Sequence, residues 1–375
     1  MFYISLLIIQ VILFEAHFLL YRTVMDIFNV TGKALLILKI ISVLLSVSFL
    51  AASLFAHSFR NKITTVAYRI AATWFGSMIY FLLAAAAYWI VFFSFGKEIP
   101  GANIASVKIV GELLFVAAAA VSIFGLVNAN VIQVRRITVN IQNLPDSWKN
   151  RKVALLSDIH LGQIRGRPFA EKISKIIKSL SPDAVFFVGD VFDGVKVDAD
   201  ECVGPFSDIR TTLGNFFVFG NHEEFEKDSV EIYGSAIRKA NIKILDNASI
   251  VCDGVEIIGV TDSDATNKNA YGPILEKIIG TEKKYPRILL KHTPVSTAIA
   301  EKNIVDLELS GHTHGGQVFP FNILTSLVFK NRNYGLSRFG KTTVYTSSGV
   351  GTWGPPMRIG ANPEIVLISF ENRPE

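Results

Sequence analysis

Four long apolar runs occupy the first third of the sequence, and they constrain the fold more than any other feature. They cover residues 2–20, 34–55, 70–95 and 109–127. A helix needs about 20 apolar residues to cross about 30 Å of hydrocarbon, and each run approaches or exceeds that length. Four buried helices of a soluble protein are the alternative, but successive runs without an amphipathic face disfavour it. We therefore predict a bundle of four transmembrane helices.

Basic residues in the short links between these runs predict the orientation of the bundle. The link between the second and third runs contains Arg60, Lys62 and Arg69, and the segment after the fourth run contains Arg135 and Arg136. The other two links carry fewer basic residues, and cytoplasmic loops are the ones enriched in Lys and Arg. We predict a multi-pass protein of the cell membrane, with both chain ends and the whole region after the fourth run in the cytoplasm.

Ionisable residues within the apolar runs are costly, and they are candidates for a functional site inside the membrane. Glu15, His17 and Glu112 are the residues in question. All three lie near the predicted ends of the runs, so we interpret them as interfacial. A transporter or sensor with an attached hydrolase is the alternative in which they would matter.

The composition becomes globular after the fourth run, where short apolar segments alternate with amphipathic ones. Residues 152–156 and 184–188 are typical strands of this kind. Such alternation predicts an α/β domain. We predict a four-helix transmembrane domain over 1–130, a juxtamembrane linker over 131–151 and a catalytic domain over 152–375.

Charge and cysteine content exclude two further classes. The net charge of +5 is largely explained by the basic residues that flank the membrane runs. No basic stripe with interleaved aromatic residues follows, so nucleic-acid binding is not expected. Cys202 and Cys252 are too few for a disulfide framework, and both are expected as free thiols.

Clusters of polar residues follow the predicted strands of the α/β region. The clusters are Ser157-Asp158-Ile159-His160, Gly189-Asp190, Gly220-Asn221-His222-Glu223, Lys291-His292 and the loop from Ser310 to Gln317 with His312 and His314. Five of the seven histidines of the chain belong to these clusters. In an open α/β sheet the carboxyl ends of the strands form one crevice. The clusters are therefore expected to meet in space.

The residue types in these clusters indicate a metal centre. Seven side chains offer ligand atoms, namely Asp158, His160, Asp190, Asn221, His292, His312 and His314. Carboxylate, amide and imidazole donors suit manganese, with iron or zinc as alternatives. Seven ligands are more than one ion needs, and they fit two divalent ions that share a bridging carboxylate. Two ions about 3.5–4 Å apart activate a shared water for attack on phosphorus, so phosphate ester hydrolysis is the predicted reaction.

This ordered series of motifs resembles the calcineurin-like metallophosphoesterase superfamily. The series is Asp-x-His, Gly-Asp-x-x-Asp-Gly, Gly-Asn-His-Glu, His-Thr-Pro and Gly-His-Thr-His-Gly-Gly-Gln. Within that superfamily the chain is most similar to the membrane-associated branch of transmembrane metallophosphoesterases and of phosphodiesterases of the YkuE and YaeI type. Residues of the tail, including Pro356 and Arg358, support this branch. The resemblance covers residues 152–370 and implies a four-layer α/β/β/α sandwich.

The resemblance also implies a role for each ligand position. One ion would be held by Asp158, His160 and His314. The other would be held by Asn221, His292 and His312. Asp190 would bridge the two ions, and His222 would not ligate but would protonate the leaving group as a general acid.

Several neighbouring residues have two interpretations. Glu223 would orient His222 or lie at the surface. Asp193 would shape the loop after Asp190 rather than take part in catalysis. Gly311, Gly315 and Gly316 would allow the backbone to approach the site closely. Lys291 is atypical before His292, where a small or hydroxyl residue is expected.

Other residues beside the motifs are weaker candidates. Arg165 and Arg167 could contact phosphate, although we interpret them as solvated loop residues. Phe319, Phe321 and Trp353 could line a path for acyl chains, although core packing is the preferred interpretation.

The sequence leaves the substrate and the oligomeric state open. A site held at a membrane favours a lipid-linked phosphodiester or pyrophosphate, and the superfamily includes hydrolases of UDP-diacylglucosamine. The predicted partners are therefore the lipid bilayer and a phosphoester substrate. The alternative function is a catalytically silent domain that serves the bundle as a scaffold or sensor. Such a domain would be expected to lack a ligand or His222, and neither is missing.

Overall fold

The computed structural model describes residues 2–59, 61–95, 104–194, 197–225, 227–280 and 282–372. Arg60, which contributes to the predicted orientation, lies outside these residues. The chain divides into two compact units. They are Met1–Val127 with Gly354–Met357, and Asn128–Trp353 with Arg358–Glu375.

The first unit is helical. Its helices are α1 (Phe2–Ile27), α2 (Gly32–Ser58), α3 (Lys62–Phe95) and α4 (Ile104–Asn128). Each is long and apolar enough to cross a membrane, so the prediction of four transmembrane helices is confirmed.

Polar side chains connect α1 and α3 inside this helical unit. His17 is buried near the middle of α1, where its Nδ1 atom donates to the Leu13 carbonyl oxygen at 2.7 Å. Its Nε2 atom accepts a hydrogen bond from Trp74 Nε1 at 2.8 Å. Asp26 accepts a hydrogen bond from the Tyr88 hydroxyl. The interfacial interpretation of His17 is therefore wrong, because α1 continues further than the apolar run that defined it.

The second unit contains twelve strands and seven helices among the described residues. Its strands are β1 (Gln133–Ile141), β2 (Lys152–Leu156), β3 (Ala184–Val188), β4 (Gly214–Val218), β5 (Lys243–Ile244), β6 (Ala248–Cys252), β7 (Val255–Gly259), β8 (Arg287–Leu290), β9 (Leu307–Ser310), β10 (Gly335–Phe339), β11 (Thr342–Thr346) and β12 (Glu364–Asn372). Its helices are α5 (Arg167–Leu180), α6 (Ala199–Val203), α7 (Lys227–Lys239), α8 (Asp262–Thr266), α9 (Tyr271–Ile279), α10 (Thr297–Lys302) and α11 (Phe321–Val328).

These strands form two six-stranded sheets. The first has the order β1-β12-β2-β3-β4-β5 and the second has the order β10-β11-β9-β8-β7-β6. The strands β2, β3 and β4 are parallel neighbours in the first sheet, as are β7, β8 and β9 in the second. The carboxyl ends of the three strands within each group therefore lie at one edge of their sheet.

Three apolar cores hold the layers together. The inner faces of the two sheets pack against each other, with Val153 and Phe186 from the first and Ile288 and Leu309 from the second. The helices α5, α6 and α7 contribute to a core on the outer face of the first sheet. The helices α8, α9 and α10 do the same for the second sheet. The predicted α/β/β/α sandwich is confirmed.

Two local structures differ in how well the sequence anticipated them. The predicted hairpin is present as β6 and β7, and its turn residues Asp253 and Gly254 have φ values of 44° and 82°, as a primed turn requires. By contrast, the segment predicted as a linker contains β1, which pairs in parallel with β12 from Gln133–Glu364 to Ile141–Asn372. The domain boundaries themselves remain a prediction.

Candidate metal centre

The candidate ligands lie in the loops that follow parallel strands. Asp158 and His160 follow β2, Asp190 follows β3 and Asn221 follows β4. In the second sheet, His292 follows β8, and His312 and His314 follow β9. The structure brings all seven side chains to one region of the sandwich, because the two sheets present these strand ends at a common edge.

Five of these residues have left-handed backbone conformations. Their φ values are 52° at Asp158, 52° at His160, 53° at Asp190, 70° at His312 and 51° at His314. Non-glycine residues rarely adopt this region, and each such residue costs on the order of 1–3 kcal/mol. Five of the seven candidate ligands thus share a strained backbone conformation, and such residues cluster at functional sites.

The ligand atoms form close groups. Asp158, His160 and His314 each place one ligand atom within 4.8 Å of the others. Asp190, His292 and His312 form a second group by the same measure. Asn221 joins the second group, since its Oδ1 atom is 2.8 Å from His312 Nδ1.

Asp190 lies between the two groups. Its Oδ2 atom is 2.9 Å from His292 Nε2 in one group and 3.8 Å from His160 Nε2 in the other. Its Oδ1 atom accepts a hydrogen bond from the backbone N–H of His222 at 3.0 Å. A carboxylate in this position can reach ions in both groups.

The orientation of His292 fits a metal ligand. Its Nδ1 atom donates to the carbonyl oxygen of Val188 at 2.8 Å, which leaves the Nε2 lone pair directed into the site. That Nε2 atom is buried, and Asp190 Oδ2 lies 2.9 Å from it. A lone pair facing a carboxylate oxygen at this distance is stabilised when a cation binds both.

His160 and His314 show the same feature in the other group. His160 Nδ1 donates to Asp193 Oδ1 at 3.1 Å, so its Nε2 lone pair points at His314 Nε2, which is 3.0 Å away. Two ring nitrogens this close need a proton or a cation between them. Metal binding releases protons from such ligands. The donor set of both groups thus fits divalent ions.

Arg358 contacts the backbone and the side chain of His314. The side chain is fully buried, and it donates to the carbonyl oxygen of His314 at 2.9 Å and to His314 Nδ1 at 3.2 Å. Burial, followed by the nearby guanidinium, holds the pKa of His314 well below its usual value. His314 is therefore neutral at pH 7, as a ligand must be. The sequence identified Arg358 only as a residue of the tail motif and gave it no role.

Glu223 is not the surface residue that one of its two predicted roles required, and its role in orienting His222 stays a prediction. It is fully buried, and its Oε2 atom accepts the backbone N–H groups of Asp190 and Gly220, both at 2.9 Å. Its Oε1 atom accepts the N–H of Phe192 at 2.8 Å. Burial, assisted by the charge of Asp190, raises the pKa of Glu223 to about 7. Glu223 therefore joins the ligand loops after β3 and β4, and it is not a surface residue.

Close approach of the backbone is essential at Gly311. A Cβ atom there would lie 2.4 Å from Asp158 Oδ2, so any larger residue would displace the ligand. Gly316 has a different neighbour, because a Cβ atom there would lie 2.2 Å from the Cα atom of Asn322 in α11. The loop after β9 is thus packed against the ligands at one end and against α11 at the other.

His222 lies beside the ligands with its side chain half-buried. Its ring is perpendicular to that of His160, with the centroids 4.8 Å apart, and 6.3 Å from the ring centroid of Trp353. Burial and the neighbouring His160 lower the pKa of His222. Asp193 contacts His160 through its side chain, so it does more than shape its loop.

Of the two loop arginines, only Arg165 departs from its interpretation. Arg165 is buried, and it donates to Ala129 O and Asn130 Oδ1, both at 2.7 Å, so it is not a solvated loop residue. Arg167 pairs with Glu171 at 2.8 Å and is half-exposed, as expected.

Lys291 is also explained by its surroundings. Its ammonium group is 3.2 Å from Glu308 Oε1, and both side chains are fully buried. It also donates to the carbonyl oxygens of Thr293 and Val295. Lys291 directly follows β8, and these contacts direct its ammonium group toward Glu308, Thr293 and Val295.

Comparison with known proteins agrees with this geometry. The family model for the calcineurin-like phosphoesterase matches residues 151–316. A metallophosphoesterase of Campylobacter jejuni is 30% identical over 343 residues, which cover 89% of this chain and 90% of that protein. A transmembrane protein with metallophosphoesterase domain from Bos taurus is 34% identical over 68% of this chain and 60% of that protein. YkuE of Bacillus subtilis, named a metallophosphoesterase, is 25% identical over 65% of this chain and 87% of that protein.

The chain belongs to the calcineurin-like phosphoesterase family. The match to the Campylobacter jejuni protein extends over nearly the whole of both chains, whereas this chain spans about 60% of the length of the Bos taurus relative. The predicted family and enzyme class, a metal-dependent phosphoric ester hydrolase, are confirmed. The individual site residues remain predictions.

The position of Asp190 predicts that one substitution affects both groups of ligands. Asp190→Asn should remove most of the bound metal and lower activity by more than about 100-fold, because a bridging amide cannot supply two anionic contacts. Metal content by mass spectrometry and turnover of a phosphodiester would measure this. Asp200→Asn, at the surface, is the control. Full metal content with normal turnover in Asp190→Asn would contradict a shared carboxylate.

The hydrogen bonds of Glu223 predict that its substitution weakens metal binding less than Asp190→Asn does, since every candidate ligand is kept. Glu223→Gln should lower metal affinity by about 10–100-fold, since one of the two oxygens that hold the ligand loops becomes an amide donor. Titration of the metal-depleted protein with Mn²⁺ would measure it, with Glu224→Gln as the adjacent control. Equal affinities in both variants would show that Glu223 does not position the ligands.

Proposed function

We propose that this protein is a membrane-anchored phosphoesterase with two divalent metal ions. The observation that carries the proposal is the position of Asp190 between two groups of ligand atoms. The completeness of the ligand set favours a catalytic role over a scaffold role. An assay of the detergent-solubilised protein with manganese, against soluble and lipid-linked phosphodiesters, would test it. Absence of hydrolysis across the panel would exclude the proposed activity.

Each ligand has a proposed place. Asp158, His160 and His314 would hold one ion; Asn221, His292 and His312 would hold the other; Asp190 would contact both. Manganese is the proposed metal, with iron or zinc as alternatives, because the donors are oxygens and imidazoles. When bound, two such ions activate water and stabilise the charge that develops at phosphorus.

His222 is the proposed general acid. It is not needed as a ligand, and its half-buried ring lies next to the ligand His160. Its backbone N–H is held by Asp190 Oδ1 at 3.0 Å, which fixes the residue relative to the ligands. Protonation of a leaving oxygen by an imidazole in such a position contributes typically 10²–10⁴-fold to the rate.

The proposed substrate is a phosphodiester or pyrophosphate, and a lipid-linked one such as a UDP-diacylglucosamine-like molecule is preferred. Four spanning helices keep the catalytic domain at a membrane, where lipid-linked substrates are concentrated. We also propose that the catalytic domain is cytoplasmic, since basic residues concentrate in the link after α2 and in the segment after α4.

The role of His222 predicts a dependence on the leaving group. His222→Ala should retain its metal but hydrolyse esters with poor leaving groups about 10²–10⁴-fold more slowly, because these leave only when protonated. Esters of p-nitrophenol should be affected far less, since p-nitrophenolate leaves without a proton. Rates for alkyl and p-nitrophenyl esters of the same acid would be compared. Equal losses on both would exclude the acid role.

The orientation predicts the result of reporter fusions. Alkaline phosphatase fused after Glu375 should be inactive, because that enzyme needs an oxidising compartment for its disulfides. A fluorescent protein at the same position should be fluorescent. Alkaline phosphatase fused after Asn29, between α1 and α2, is the matched control and should be active. The reverse pattern would mean that the catalytic domain faces away from the cytoplasm.

A further inference from the structure

The short helix α11 has its polar and apolar sides reversed relative to an ordinary surface helix. Its polar residues Asn322, Thr325 and Ser326 are half-buried against the domain. Its apolar residues are exposed, with exposed fractions of 43% for Phe321, 54% for Ile323, 55% for Leu324, 72% for Leu327 and 64% for Val328. We name these five residues the α11 apolar face. Residues 321, 324 and 328, and likewise 323 and 327, have helical spacing, so the five lie on one side.

Polar contacts fix this reversed orientation. Asn322 packs against the loop after β9, where Gly316 leaves room for its backbone. The Thr325 hydroxyl accepts a hydrogen bond from Asn333 Nδ2 at 3.3 Å, and Ser326 Oγ donates to Asn331 Oδ1 at 2.6 Å. Rotation of the helix to bury its apolar side would break these contacts. The outward direction of the apolar side is therefore built into the fold.

The exposed surface continues toward the metal centre. Phe329, directly after α11, has its ring centroid 6.1 Å from that of the ligand His312. On the other side, Trp353 is 57% exposed and lies next to His222. Gln317, in the loop after β9, links that loop to Trp353, because its amide donates to Trp353 O at 2.8 Å and accepts from Trp353 N at 2.9 Å. Core packing, the preferred interpretation of Phe319, Phe321 and Trp353, is therefore wrong.

Charge around α11 favours a lipid surface. No Asp or Glu occurs in the sequence between Glu308 and Glu364, whereas Lys330, Arg332 and Arg338 follow the helix closely. Exposed apolar patches indicate contact with protein or membrane. An apolar helix flanked by basic residues is typical of segments that lie in the membrane interface, where cations attract anionic headgroups. The same chain has four helices long and apolar enough to span a membrane.

We propose that the α11 apolar face inserts into the headgroup region of the bilayer and holds the rim of the metal centre at the membrane surface. The partner is the lipid bilayer itself, with anionic headgroups at Lys330 and the neighbouring cations. A consequence, which rests on the proposed function, is that a phosphoester on a lipid headgroup reaches the ligands without leaving the bilayer.

Fluorescence quenching in the full-length protein tests the insertion without any need for catalysis. Neither native cysteine forms a disulfide, so Cys202→Ser and Cys252→Ser give a background for labelling. In this background, the cysteine of Leu327→Cys is labelled with an environment-sensitive fluorophore. The labelled protein is placed in nanodiscs that contain anionic phospholipid. Ile232→Cys in α7 is the matched control, since Ile232 is an apolar residue of similar exposure at 57%.

The proposal expects blue-shifted emission from the label at 327 and loss of that emission when doxyl-labelled lipids are included. The label at 232 should keep its emission. Three results would overturn the proposal: neither a blue shift nor quenching at 327, equal quenching at both positions, or a blue-shifted label at 327 that lipid quenchers do not reach. The last result would mean that protein, such as a second copy of this chain, covers the helix.

A charged double variant then tests the consequence for substrates. The variant carries Leu324→Glu and Leu327→Glu together. Its rate is measured on a phosphodiester lipid in nanodiscs and on soluble bis(p-nitrophenyl) phosphate. The ratio of the first rate to the second should fall at least about tenfold. Loss of one buried leucine changes an equilibrium by roughly that factor. Ile232→Glu is the control, and an unchanged ratio would overturn the consequence. If the parent protein cleaves neither substrate, the proposed function fails, while the quenching result still decides whether α11 inserts.

Discussion

Asp158 accepts the backbone N–H of His312 at 3.0 Å on one carboxylate oxygen and 3.1 Å on the other, and this contact joins the two sheets at the edge where the ligands meet. Asp158 follows a strand of the first sheet and His312 follows a strand of the second, so neither sheet provides the site alone. The close approach depends on Gly311, where a side chain would collide with the Asp158 carboxylate. The chemistry of the centre thus depends on the packing of the sheets, which is driven by the apolar core between them.

Buried charges then fix the loops that the sheets bring together. Glu223 accepts three backbone N–H groups, and Arg358 donates to His314 and to the carbonyl oxygens of Gly349 and Gly351. Burial of a charge is costly unless its hydrogen bonds are satisfied, and removal of one partner is strongly destabilising. Two of the residues they contact through the backbone, Asp190 and His314, have left-handed conformations. Side chains outside the candidate ligand set therefore contact the loops that carry the ligands.

The sequence predicted the elements whose information is local. Apolar runs gave the four helices of the membrane unit, and the Asp253-Gly254 turn gave the β6–β7 hairpin. Ligand types after strands gave the residues that converge. The roles of Glu223 and Arg358 could not be predicted, because they depend on backbone groups brought close only by folding. The strand β1 was missed for the same reason, since its partner β12 lies more than 200 residues later in the chain.

The helix α11 shows where an apolar pattern alone is insufficient. Periodicity identifies two sides of a helix, and the usual inference is that the apolar side is buried. Here the polar side contacts the domain, because Gly316 brings the loop after β9 against Asn322, and Thr325 and Ser326 are hydrogen-bonded to Asn333 and Asn331. An apolar side that faces outward is unfavourable in water, and it is favourable at a lipid interface. The same chain has four helices long and apolar enough to span a membrane, and a lipid interface is the environment in which our proposal makes this orientation of α11 favourable.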